Sequence, residues 1–212
     1  MRGRYLCVGA CVALSACSQQ EGCSSYREHD RPLIAHAGGG LPDGLYTNSR
    51  AAMDLAVKNG FTLIELDFIE RDGALLIGHD EDRMSELTLE ELFAWLEKHP
   101  DVRIVTDIKT GNDGLRYLAP HADRFIPQIY YPREYGTVRR LGFDDIIFTA
   151  YGAWSNDWIT KVNKLDLFAV TIPMRWVHVA PRIEHELYLH TFNRPMGSLG
   201  LYTDCLIPEQ AS

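Results

Sequence analysis

The chain has 212 residues, 46% of them apolar, which suits one domain with a single core and excludes a disordered or fibrous protein. Its 29 acidic and 21 basic residues give a net charge of -8. That balance argues against nucleic acid as a partner and suits a site that collects cations.

Arg2 and Arg4 precede an apolar run, residues 6–16, that is too short to span a bilayer as a mature helix and is followed by small residues. This is the order of an export signal. The run ends in "LSAC", which resembles the lipobox of bacterial lipoproteins, whose cysteine is lipidated and becomes the new N-terminus. The resemblance implies a signal over residues 1–17, a lipid anchor at Cys17 and a bacterial envelope location. Ser18 implies the outer membrane, facing the periplasm; an ordinary signal with a chance cysteine is the alternative. Residues 18–31 are polar and read as a flexible tether to a domain over 32–212. With Cys7 and Cys11 removed and Cys17 lipidated, Cys23 and Cys205 remain, which allows at most one intramolecular bridge.

From residue 32, short β-branched or apolar runs alternate with segments of helical spacing, the pattern of βα units around a parallel sheet. Eight strands are predicted: 32–38, 62–68, 102–109, 124–130, 145–151, 167–173, 186–192 and 199–205. A ninth run, 74–80, follows Asp72-Gly73, a tight-turn pair, and should return on the second strand as a hairpin. A helix is predicted over 49–59, with Asn48 or Ser49 as N-cap and Gly60 as its stop. A second, over 88–99, has a capping-box pair in Thr88 and Glu91. Eight units in so short a domain make a small (β/α)8 barrel of the α/β class, with several outer helices reduced to single turns.

Polar residues gather late in the strands, where such a barrel keeps its active site. In "IELDF", Glu65 and Asp67 are two apart and project to one face, while Ile64, Leu66 and Phe68 face the other way. Two carboxylates side by side need a proton or a cation, and hard cations such as Mg²⁺ or Ca²⁺ prefer such oxygens. A solvent-facing alternation is the competing reading. In "TDIK", Asp107 and Lys109 share a face, as a third ligand and a partner for phosphate, or else as a buried structural ion pair. His36, before Gly38 and Gly39, closes the first strand, and His79, before Asp80, closes the hairpin strand. Facing one cavity, the two imidazoles can divide acid and base work on a diester. Gln128, Tyr130 and His190 are candidates to enter the same cavity, and Tyr151, Trp154, Trp158 and Trp176 to line its mouth.

In order, "HAGG", "YTNS", "IELDF", "DGALLIGHD" and "TDIK", with "YTDC" at the last strand, resemble the glycerophosphodiester phosphodiesterases, within the group of phosphatidylinositol phospholipase C-like barrels. The resemblance implies a metal-dependent phosphodiesterase with His36 and His79 as the catalytic pair. It puts Glu65 and Asp67 on a divalent metal and Asn48 near the substrate phosphate. The implied ligand is a small phosphodiester or a lipid head group. Two departures stand out. Ala37 occupies the place of the family's usual Arg, leaving phosphate to Lys109 or to backbone N–H groups of Gly38 to Gly40. Asp107-Ile108-Lys109 replaces a Glu-x-Lys stretch, a form similar to the sphingomyelinase D branch. The alternatives are therefore a lipid phosphodiesterase of that type and a non-catalytic envelope lipoprotein that binds a phosphorylated head group.

Overall fold

The strands form where β-branched and aliphatic residues bury on both sides, as parallel strands covered by helices require. The computed structural model describes residues 33–151, 157–194 and 196–205. Its strands are β1 (Ile34–Ala35), β2 (Leu63–Arg71), β3 (Ala74–Ile77), β4 (Arg103–Ile108), β5 (Phe125–Ile129), β6 (Ile147–Thr149), β7 (Ala169–Pro173), β8 (Leu187–His190) and β9 (Gly200–Thr203). Eight are parallel, in the order β1-β9-β8-β7-β6-β5-β4-β2, and β1 pairs with β2 to close a (β/α)8 barrel. The ninth, β3, folds back antiparallel on β2 from Phe68↔Ile77 to Arg71↔Ala74. Its turn has Asp72 and Gly73 both at positive φ (52° and 76°), the geometry that an Asp-Gly hairpin supplies.

Helix α1 (Arg50–Lys58) is capped by Ser49, whose side chain accepts from the Ala52 N–H, and α2 (Leu89–Lys98) has the expected Thr88/Glu91 capping box. Beyond them the outer layer thins to α3 (Tyr135–Arg140), α4 (Trp158–Val162) and 3₁₀ turns such as Asn112–Tyr117 and Met174–Arg182. One apolar cluster lies between strands and helices, with Ile64, Leu66, Phe68, Leu92 and Trp95 among its members. A second fills the barrel floor with Ile34, Leu63, Val105, Ile126, Ile147, Ala169, Tyr188 and Tyr202, one from each parallel strand. Residues two further along each strand face the same interior nearer its C-terminal end, and there the lining turns polar: His36, Glu65, Asp107, Gln128, Thr149, Thr171, His190 and Asp204.

The first strand is shorter than the sequence suggests. Ala37 takes a left-handed conformation (φ 50°, ψ 41°), and Gly38 and Gly39 follow at positive φ. His36 therefore opens a 3₁₀ turn, His36–Gly38, instead of closing a strand. The expected signal, Cys17 and the tether lie outside the described residues, as does Trp154. No described helix is long and apolar enough to cross a membrane.

Candidate active site at the barrel mouth

The register of β2 and β4 sets Asp67 opposite Asp107, with Glu65 two residues earlier on the same face. One oxygen from each of the three lies within 4.8 Å of the others, and all three residues are buried. Each carboxylate is held in place by neighbours. Glu65 Oε2 accepts the Ala37 N–H at 2.7 Å, Asp67 Oδ2 accepts from Asn48 Nδ2 at 2.9 Å, and Asp107 Oδ1 accepts from the Tyr130 hydroxyl at 2.6 Å. Lys109 Nζ bridges Asp67 Oδ1 (2.7 Å) and Asp107 Oδ2 (2.6 Å). Burial works against the Lys109 charge, but Asp107 and Asp67 outweigh it and hold its pKa above the ordinary value.

One ammonium does not balance three carboxylates. Burial, then repulsion from Asp67 and Asp107, pushes the Glu65 carboxyl well above the usual range. A buried set of hard oxygens with surplus negative charge fits a divalent cation such as Mg²⁺ or Ca²⁺.

The two histidines meet carboxylates through the same ring atom. His36 Nδ1 lies 2.9 Å from Asp204 Oδ1, and its Nε2 lies 4.0 Å from Glu65 Oε2. Asp204, just past β9, is fixed in turn by Asn193, whose Oδ1 accepts the Asp204 N–H at 2.9 Å. The β1–α1 loop reaches it through Gly40, whose N–H donates to the Asp204 carbonyl at 3.0 Å. A Cβ on Gly40 would sit 2.4 Å from that carbonyl oxygen, so only glycine permits the approach. His79 Nδ1 lies 2.9 Å from Asp80 Oδ2, and Arg83 bonds both that carboxylate and the ring. The Arg83 hydrogen bond, then that of His79, holds the Asp80 carboxyl well below the usual range.

A cavity of about 870 Å³ opens at this end of the barrel, lined in part by His36, His79, Asp107, Lys109, Tyr130 and His190. Tyr46 stands between the histidines, 4.8 Å from the His36 ring and 6.4 Å from that of His79. The His190 ring lies 4.9 Å from the His36 ring, and its Nδ1 is hydrogen-bonded with the Tyr151 hydroxyl at 2.6 Å. Burial first, then the charges of His36 and Lys109, lower the His190 pKa to about 3, so this imidazole is neutral.

Other candidates lie elsewhere than at the cavity surface. Asn48 is fully buried, and its amide also accepts the Asp67 N–H at 2.9 Å, so it orients a carboxylate. The Gly39 and Gly40 N–H groups are taken by the carbonyls of His36 and Asp204, whereas Lys109 lines the cavity. Gln128 is buried deeper in the barrel, where its Oε1 accepts from Thr149. Trp158 and Trp176 stack on each other at 5.8 Å in the outer layer, whereas Tyr151 lines the cavity.

Sequence reasoning gave no role to Asp204, Tyr46, Arg83, Tyr131 or Glu134. Asp204 carried a usable signal, being a polar residue late in the last strand, in alternation with Tyr202. The others sit in loops, where no period points. Cys205, next to Asp204, is disulfide-bonded.

Among solved structures, a glycerophosphodiester phosphodiesterase from Thermotoga maritima is similar, with TM-score 0.63, 16% identity, and coverage of 84% of this chain and 96% of that one. The barrel has the glycerophosphodiester phosphodiesterase fold. A structure from Galdieria sulphuraria, provisionally assigned the same activity, matches with TM-score 0.57 and 14% identity over 76% of this chain and 85% of its own. At such identities the likeness concerns the fold. No family model matches the chain, and no curated protein does.

Proposed function

We propose that the chain is a divalent-cation-dependent phosphodiesterase acting on glycerophosphodiesters or related phospholipid head-group diesters. The observation that carries this reading is the meeting of two carboxylate-bound imidazoles and a buried three-carboxylate cluster at one barrel mouth. Glu65, Asp67 and Asp107 would hold the cation. When bound, it supplies positive charge against a non-bridging phosphoryl oxygen. Asn48 and the Ala37 N–H keep the carboxylates aimed, and Lys109 offers a further cation to the phosphate.

An ionised carboxylate only accepts hydrogen bonds, so Asp204 keeps the His36 proton on Nδ1 and leaves Nε2 free to take or give one. One imidazole removes a proton from the attacking hydroxyl or water, and the other protonates the leaving alkoxide. A substrate hydroxyl beside the diester can serve as that nucleophile and give a cyclic phosphate.

Calorimetric titration of Mg²⁺ and Ca²⁺ into chelator-treated protein, alongside an assay on glycerophosphocholine and glycerophosphoglycerol, tests both halves. Uptake of one ion, weakened by Glu65→Gln, Asp67→Asn or Asp107→Asn, together with chelator-sensitive hydrolysis, is the expected result. Ion uptake without turnover of any diester would instead favour a head-group-binding module.

We also infer that residues 32–212 form the catalytic domain, displayed by a lipid anchor at Cys17 on the envelope. Intact mass of the membrane-bound protein should show added lipid that Cys17→Ser abolishes; attachment without lipid mass would sink the inference.

A further inference from the structure

We propose that Cys205 is bridged to Cys23 and that this bridge turns the mouth of the barrel, and not its floor, toward the membrane that holds the Cys17 lipid. The orientation rests on the anchor inferred above, and the membrane surface is the partner it assigns to the mouth.

Cys205 is disulfide-bonded. The sequence has four other cysteines, Cys7, Cys11, Cys17 and Cys23, all ahead of β1. Cys7 and Cys11 lie in the run that the export signal removes, and a Cys17 sulfur taken by lipid cannot enter a bridge, so Cys23 is the partner that remains. Forming the bond takes two electrons and two protons from the two thiols. A disulfide-bearing oxidant protein of the envelope accepts them by thiol–disulfide exchange and is reduced to its dithiol.

The position of Cys205 decides what the bridge does. It follows β9 directly after Asp204, whose carboxylate meets His36, and so stands at the catalytic end of the barrel. It is held there: its N–H donates to Thr203 Oγ1 at 3.0 Å and its Sγ lies 3.8 Å from the Asn193 carbonyl oxygen. The chain itself enters at the opposite end, because Ile34 belongs to the floor layer.

Without the bridge, sixteen links, about 54 Å of extended chain, would join the lipid at Cys17 to Leu33 at the floor. With it, six links, about 20 Å, join the lipid to the mouth. The ten links from Cys23 to Leu33 reach about 34 Å, enough to run the length of a barrel whose β2 rises about 17 Å from Leu63 to Phe68. The shorter connection sets the orientation, and it belongs to the mouth.

The rim has a surface for that contact. Among the described residues the large apolar side chains that stay exposed are Tyr131, Tyr151 and Met174, and they follow the neighbouring strands β5, β6 and β7. Arg133 lies over the Tyr131 ring at 3.9 Å and Arg175 over that of Trp176 at 5.7 Å, a pairing of aromatic surface with guanidinium that suits a lipid head-group layer. In this orientation the mouth meets diesters still carried by the leaflet.

Mass spectrometry of unreduced peptides from the full chain should show Cys23 joined to Cys205; a free Cys205 thiol, or Cys205 joined to another cysteine, would overturn the bridge. Hydrogen exchange of the lipidated protein in phosphatidylcholine vesicles reads the orientation without any turnover. Residues 40–47, 131–134 and 174–178 at the mouth should exchange several-fold more slowly than in lipid-free Cys17→Ser, while residues 99–102 and 141–145 at the floor should not change. Cys23→Ser should lose that protection. Because Cys23→Ser also removes a stabilising bond, a second variant keeps the bridge and lengthens the anchor: about twenty Gly and Ser residues inserted after Ser18 should abolish protection at the mouth of a normally folded protein. Protection at the floor, or mouth protection that survives the insertion, would overturn the orientation. A parent without lipid would overturn it together with the anchor, whereas failure to hydrolyse any diester would count against the phosphodiesterase reading alone.

Discussion

His36 and His79 have the same partner at the same ring atom, a carboxylate 2.9 Å from Nδ1, yet the two settings are built differently. Asp204 lies 168 residues from His36 and reaches it because β1 pairs with β9; that pair is buried, with Asp204 6% exposed. Asp80 is the next residue after His79, and the side chains are 32% and 40% exposed. Moreover, His79 Nδ1 faces both Asp80, which accepts, and Arg83, which donates, so both tautomers find a partner. His36 is thus fixed in one protonation geometry by barrel closure, while His79 keeps a choice. If the two rings divide acid and base work as proposed, this difference should show when each carboxylate is removed.

The largest test of this contrast is removal of the rings. His36→Asn and His79→Asn should each lower kcat by about two to four orders of magnitude. The double variant should lose little more, since groups serving one transition state act as a unit. A diester with a good leaving group should rescue whichever variant lost the acid. Near-normal turnover per folded molecule in either variant would end the acid–base assignment.

Replacing the carboxylates should then separate the two settings. Asp204→Asn invites the wrong His36 tautomer in a buried site, and kcat should fall by roughly 10²–10³-fold. Asp80→Asn removes one exposed partner of two, and less than about a fivefold loss is expected, the scale of an exposed ion pair. Equal losses measured in steady-state kinetics would mean that burial does not distinguish the two.

The Cys205 disulfide adjoins Asp204 and not Asp80. Its reduction should lower unfolding free energy by about 2–4 kcal/mol, the usual effect of losing a native disulfide, as read from denaturant melts with and without reductant.

A last effect, confined to acid conditions, concerns His190, whose pKa of about 3 lies below that of an unfolded histidine. Between those values the unfolded chain binds a proton that the folded one refuses, so stability rises with pH there and is lost as pH falls below about 6.5. The slope from this group is at most about 1.4 kcal/mol per pH unit. His190→Gln should flatten it in melts taken between pH 4 and 7.

Much of the site was legible because strands have a strict period of two. Glu65 and Asp67 had to share a face, Asp107 and Lys109 likewise, and Asp72-Gly73 had to turn the chain back so that His79 reached the mouth. The thinning of the outer helices also followed from the number of strands and the length of the domain. By contrast, Ala37 turning left-handed, with His36 leaving its strand early, depends on Glu65 accepting the Ala37 N–H, a contact 28 residues away. The Asn48 amide closing on Asp67 is likewise a matter of how the β1–α1 loop lies across β2.

Local spacing determined which side chains look inward, since that needs only the pleat of each strand. Tertiary structure alone decided which inward side chains meet: Asp204 with His36, Tyr130 with Asp107, Tyr151 with His190. Those pairs join residues 23 to 168 apart in sequence, and their distances are set by the β1–β9 pairing and by sheet register, which no local run of residues encodes.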